Sequence, residues 1–235
     1  MRWAHEKKPD HNWRRQRTRG LARAGFTFAT ILAIGSFFAP SFLNGDGPAF
    51  SDTVRAEISP AASRALESKL QILSGNQPSD PSKPVVITEG EANSYLRYHA
   101  REFFPPGVSE PTIRILPGGV YGAAAVNFEE FGRSNPNSKD WGPKVLAAMF
   151  KGKQRVAAIG SLTTANGQGT VKIETVSIGT TKIPDWLVDY VVENYLQPRY
   201  HFDLSKPFPL PDHVSRIELS HGQAAFVRSP QKETR

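Results

Sequence analysis

Ala24 to Leu43 is a run of twenty residues without a charged side chain, and no other stretch limits the chain so strongly. Its large apolar residues are Phe26, Phe28, Ile31, Leu32, Ile34, Phe37, Phe38, Phe42 and Leu43. They go all round a helix instead of along one stripe, and such a helix needs lipid or deep burial. Twenty helical residues cover ~30 Å, one bilayer core. Eight Lys or Arg precede the run, from Arg2 to Arg23, and after it no charge of either sign occurs until Asp46. By the positive-inside rule the N-terminus stays cytosolic and residues 44–235 are exported. Three readings stay open: an uncleaved anchor, a cleaved export signal, and a buried core helix. The long charged lead-in, and Phe42 and Leu43 extending the apolar run past Pro40, favour the anchor. Residues 24–43 are then a single-pass segment whose partner is the lipid bilayer.

The net charge of +7 follows from the same topology. Residues 1–23 hold the eight cations with two acids, Glu6 and Asp10, so they carry +6 and the remaining chain only +1. A nucleic-acid reader needs its cations on the folded face, so no nucleic-acid partner is expected. There are no cysteines, which excludes a disulfide framework, a thiolate zinc site and a cysteine nucleophile.

Beyond the anchor, residues 44–84 read as a stalk. It contains a short helix opened by Ser59-Pro60, with Ala62, Leu66, Leu70 and Leu73 at helical spacing, and ends in the linker GNQPSDPSKP. Residues 85–228 read as the exported domain and 229–235 as a tail. Thr88 and Glu91 form a capping box, followed by Ala92, Tyr95, Leu96, His99 and Phe103 on one helical face, and Pro105-Pro106-Gly107 ends the pattern. Extended runs surround Pro117-Gly118-Gly119, then Asn166-Gly167, then His221-Gly222, giving three hairpins. A short helix at about 143–150 and another from Pro184 lie between them. The expected class is α+β: a curved antiparallel sheet of about six strands in three hairpins, helices packed on one side, preceded by a transmembrane helix.

In residues 120–128 and 155–163 both strand faces carry small apolar residues. A second apolar face implies either close cover or a groove for something apolar. The expected lining of such a ligand site is Tyr95, His99, Phe103, Tyr121, Ile159, Trp186 and Tyr190.

No catalytic constellation emerges. Neither a nucleophile elbow, a phosphate loop, a His-Glu-x-x-His helix nor a calcium loop is present. His99, on an apolar stripe, reads as a core histidine bonded to backbone. His201 and His213, near Asp203 and Asp212, are a poor metal set because no two histidines share a helical turn. Asp185, Asp189 and Glu193 fall at i, i+4, i+8 and read as a solvated face. No catalytic residue, metal or cofactor is expected.

The stretch DLSKPFPLPDHVSRIELSHGQAAF (203–226), with ITEGEANSYL near the domain start and QRVAAIGSLTT between, resembles bacterial envelope proteins of the YpmS-like and LmeA-like groups. The likeness covers roughly residues 85–228. Its motifs, Thr88-Glu89 and Pro207-Phe208-Pro209-Leu210-Pro211, are structural punctuation. The resemblance implies one N-terminal membrane segment followed by a curved α+β domain related to tubular lipid-binding domains. The expected function is a non-enzymatic, membrane-tethered envelope protein, its periplasmic or extracellular domain binding a lipid, another apolar ligand or a protein partner. The alternative is an accessory or scaffold subunit of a membrane complex with no small ligand.

Overall fold

The structure, a computed structural model, describes residues 58–99, 104, 106–133, 148–197, 203–204, 206–211 and 213–228. The 24–43 segment and Phe103 lie outside the described residues, as does most of the short helix expected at 143–150. Among the described residues no helix is long and apolar enough to cross a membrane.

Helix α1 (Pro60–Leu73) begins as its sequence dictates. The Ser59 hydroxyl accepts from the Ala62 N–H at 3.1 Å, and Pro60 occupies the first turn, where no N–H is required. Strand β1 (Val85–Thr88) runs directly into helix α2 (Glu89–Tyr98). The capping box forms at that junction: Glu91 N–H donates to Thr88 Oγ1, and Thr88 N–H donates to Glu91 Oε2. A meander follows: β2 (Val108–Leu116), β3 (Gly119–Asn127), helix α3 (Phe128–Arg133), β4 (Lys153–Ala165) and β5 (Gln168–Ile178). The short β6 (Thr181–Lys182) leads to α4 (Asp185–Val191), which continues as a π-helical turn, Val192–Leu196. The chain closes with β7 (Phe208–Pro209), β8 (Val214–Ser220) and β9 (Gln223–Arg228).

The strands divide into two antiparallel sheets. The larger has six strands: β2-β3-β4-β5 in order, with β6 and β7 pairing to opposite ends of β5. The smaller is β1-β9-β8. The third hairpin therefore leaves the sheet that holds the first two, which corrects the expectation of one sheet built from three hairpins. The cause is β1, whose Val85 and Ile87 point inward and which pairs with β9 from Val85↔Phe226 to Thr88↔Gln223. Only four residues long and joined to a helix, β1 has little alternation of its own to announce it.

Both sheets face one core. Ile113, Ile115 and Val120 of the large sheet meet Ile87, Ile217 and Phe226 of the small one, and α1 adds Leu66, Leu70 and Leu73. Farther along the same face, Val126, Val156, Val176 and Ile178 meet Leu187, Val188 and Val191 of α4. The helix expected in a stalk is thus part of the folded body. A bulge keeps the core face continuous along β5. The ladder partners of Ile159 and Gly160 are Thr175 and Ile173, so Glu174 is the extra residue. Val171 and Ile173 then share the inward side with Val176 and Ile178, although the two pairs are out of phase by one residue.

The outer edge of β2 is not left open. Asn93 of α2 bonds both polar groups of one residue: Ile113 N–H donates to Oδ1 at 2.8 Å and Nδ2 donates to Ile113 O at 2.9 Å. A side-chain amide here replaces the next strand, one of the ways edges are protected from pairing.

Candidate functional site

Alternation sends one side chain in two from every strand around the core into the space between the sheets. Ile113 and Ile115 come from β2, Val120 from β3 and Leu162 from β4. Facing them are Ile87 of β1, Ile217 and Leu219 of β8, and Phe226 of β9. Where Ala92 of α2 and Ala224 of β9 take their places among these larger residues, the packing stays incomplete. A cavity of about 30 Å³ results, and no polar atom faces it. No acid, base or nucleophile is available there, so the space can accept hydrocarbon and nothing that needs a hydrogen bond. Most of the lining is buried, and Leu162 and Leu219 are the half-exposed members. The rim therefore lies between β4 and β8.

Those two strands touch but share no ladder. Instead the Thr164 hydroxyl accepts from Ile217 N–H at 2.9 Å and donates to Ile217 O at 3.0 Å. Beyond it, Gly167 N–H donates to Ser215 O at 2.9 Å. At the other end of the cavity three groups close a ring. Glu89 N–H donates to Gly222 O, Gly222 N–H to Ile115 O, and Ile115 N–H to Glu89 Oε2, at 2.7, 2.9 and 3.0 Å. This ring fastens the α2 N-terminus, the β8–β9 turn and the β2 edge together.

The residues expected to line a ligand site are found in separate places. Tyr95 packs against the core between the sheets, and His99 stacks on it with centroids 5.4 Å apart. His99 is exposed, not core-facing, and its Nδ1 lies 2.7 Å from Ser63 Oγ of α1, so its partner is a side chain. The reason is that α2 stops at Tyr98 and His99 becomes the C-cap, off the buried stripe. Ser63 itself is fully buried and cannot meet a substrate. Tyr121 and Ile159 are cross-strand partners on the reverse face of the large sheet. On that face Ala123 is 0% and Ala157 4% exposed, with Tyr121 packed beside them. Trp186 is 63% exposed on α4, and Tyr190 packs against the second part of the core. The structure brings Tyr95 to His99 and Tyr121 to Ile159; it does not gather the described six around one space, and none of them lines the cavity.

Among the described residues no three His, Cys, Asp or Glu side chains come together as a metal set. His213 and His221 are exposed, and His201 lies outside the described residues. Asp185, Asp189 and Glu193 are exposed, as a solvated face requires. Of the cavity lining, Val120 and Leu162 fall in the stretches 120–128 and 155–163 whose two apolar faces suggest a groove. For the other strand residues the sequence signal is alternation: Ile113 with Ile115, Ile217 with Leu219, Ala224 with Phe226.

No family model matches the chain, and no curated protein matches it. A solved structure described as "Crystal structure of lipopolysaccharide binding protein" is similar at 13% identity and a TM-score of 0.23. The match covers 67% of this chain and 39% of that one, so this chain spans well under half of that protein's length. A likeness at that level fixes neither a shared fold nor a shared ligand.

Proposed function

We propose that the chain is a non-enzymatic envelope protein, held in a bacterial membrane by residues 24–43, whose exported domain takes a hydrocarbon chain between its two sheets. The observation that carries this reading is the cavity between the sheets, lined by side chains of both and by no polar atom. Burying a methylene there is favourable by about 0.8 kcal/mol, whereas any polar group would enter unpaired. The ligand part that enters is therefore an alkyl or acyl chain, and any headgroup stays outside.

The cavity's size supports a second reading. About 30 Å³ is far below the roughly 300–1,000 Å³ of small-molecule pockets. A domain that never opens would be an accessory or scaffold subunit, with the cavity a packing defect.

One experiment separates the two. The full chain is reconstituted in phosphatidylcholine vesicles containing a photoreactive palmitic acid, irradiated and digested. Ligand uptake places label on the peptides holding Leu162 and Leu219, and insertion of the anchor places label on 24–43. Label in 24–43 alone would remove the ligand reading and leave the scaffold reading standing. Label in neither would remove the membrane tether as well.

A further inference from the structure

A space of about 30 Å³ admits a chain only if its walls part. The question is where. The β1–β9, β8–β9 and β2-to-β5 boundaries are all hydrogen-bonded strand ladders, interrupted by single bulges at Ser109/Thr112, Ile159/Gly160 and Val214/Arg216. The β2 edge is bonded to α2 by Asn93 and Glu89. Between β4 and β8, by contrast, no ladder exists. The two half-exposed lining residues, Leu162 and Leu219, lie on these strands. Two residues farther along the same face of β4 from Leu162, the Thr164 hydroxyl bonds Ile217 across the seam. Ile217 in turn lines the cavity.

We infer that the β4–β8 seam is the entrance for a hydrocarbon chain and that Thr164 is its clasp. The inference rests on the ligand reading above and adds the route. A linear chain suits it: a seam that parts along two strands makes a slot, and a slot passes a chain more readily than a ring. One hydroxyl serves both polar groups of Ile217, so removing it frees both at once. Closing the seam satisfies them again without moving either ladder.

The test uses the same full chain, vesicles and photoreactive palmitic acid. Thr164→Val keeps the shape and loses both hydrogen bonds. It is expected to raise the initial labelling rate of the Leu162 and Leu219 peptides roughly tenfold, equivalent to about 1.4 kcal/mol. Thr164→Ser keeps the hydroxyl and is expected to label at the wild-type rate. Amide exchange at Ile217 should quicken in the valine variant alone. If wild type labels those peptides and Thr164→Val labels no faster, the entrance lies elsewhere and the inference falls while the ligand reading survives. If Thr164→Ser speeds labelling as much as valine does, the clasp is refuted. If Thr164→Val does not melt cooperatively, Leu162→Phe decides: a fuller rim should slow labelling at least fivefold, and an unchanged rate overturns the inference. If no variant is labelled outside 24–43, the ligand reading itself fails and the inference with it.

Discussion

Replacing Asn93 by alanine tests whether a helix side chain really serves as the missing neighbour of an edge strand. The substitution strands Ile113 N–H and Ile113 O, which Asn93 bonds at 2.8 and 2.9 Å. Ile113 is only 4% exposed, so water is a poor replacement. An unsatisfied buried polar group costs about 1–3 kcal/mol. With both groups affected, and some relief by relaxation at the edge, the loss should be about 3 kcal/mol. In a body of this size that lowers the melting temperature by roughly 6–12 °C. Thermal unfolding of the full chain in micelles, followed by tryptophan fluorescence, measures it. Asn76→Ala is the control. Its amide bonds an exposed serine hydroxyl, and its loss should change stability by less than about 0.5 kcal/mol. Asn93→Asp gives a sharper check. Its ionised carboxylate still accepts from Ile113 N–H but faces Ile113 O with no proton to give. Folding then favours the protonated acid, so its folded pKa lies above the unfolded value of ~3.9. A raised acid contributes stability that is present below the unfolded value and lost as pH rises through the folded one. The deficit of Asn93→Asp should therefore shrink as the pH falls. A deficit of Asn93→Ala below about 1 kcal/mol, or an Asp variant whose deficit ignores pH, would refute the edge-capping argument.

Three other outcomes follow from the same contacts. Glu91→Ala should cost more than Lys69→Ala, by about 1 kcal/mol, because Glu91 both pairs with Lys69 at 2.6 Å and caps α2 through Thr88 N–H; denaturant unfolding of the two variants and their double compares them. Gly169→Ala should cost about 1–3 kcal/mol, since a Cβ there would meet the Phe208 ring at 2.6 Å; a double-mutant cycle with Phe208→Leu should show that the two losses do not add. A hydrogen bond and the charge of Lys153 hold the Glu110 carboxyl below its ordinary value of 4.5. A lowered acid contributes stability present above the unfolded value and lost as pH falls through the folded one. Glu110→Gln should therefore flatten the stability–pH curve below pH 4.5, with a small amplitude because the pair is exposed.

The elements were legible wherever a local rule decides them. Thr88 with Glu91, Ser59 with Pro60, and Asn166-Gly167, whose φ angles are +52° and +75°, each set a boundary from neighbouring atoms alone. Assembly was less legible, because it is decided between residues distant in the chain. The polar stretch 75–84 looks like a tether, yet Arg228 at the end of β9 donates to Ser79 Oγ, Asp80 O and Lys83 O. That fixes the connection against the body and lets α1 bury Leu66, Leu70 and Leu73. The leucine stripe showed that α1 had a face to bury and carried no word of what would cover it. The β8–β9 turn likewise announced a hairpin without naming the sheet it joins. Val85↔Phe226 pairs two ends of the domain, and no window of sequence contains both.

The candidate site was the least legible for a related reason. Small residues on two strand faces suggested a groove, but Ala123 and Ala157 are buried on the reverse face, and the cavity opens among isoleucines, leucines and a phenylalanine on the other. Side-chain size along a strand sets how closely a neighbour can approach. It does not set whether the neighbour's own side chains fill what is left. Here that depends on Ala92 and Ala224 meeting Val120 across two sheets and a helix, a coincidence of three elements. Thr164 makes the same point for chemistry. On a strand it reads as an ordinary β-former. Its role appears only because β8 arrives beside it without a ladder, leaving one hydroxyl to satisfy both polar groups of Ile217. Among the described residues the two sheets meet at β4 and β8 through the Thr164 and Gly167 hydrogen bonds and through no ladder, so a domain that must open to admit a chain would open there.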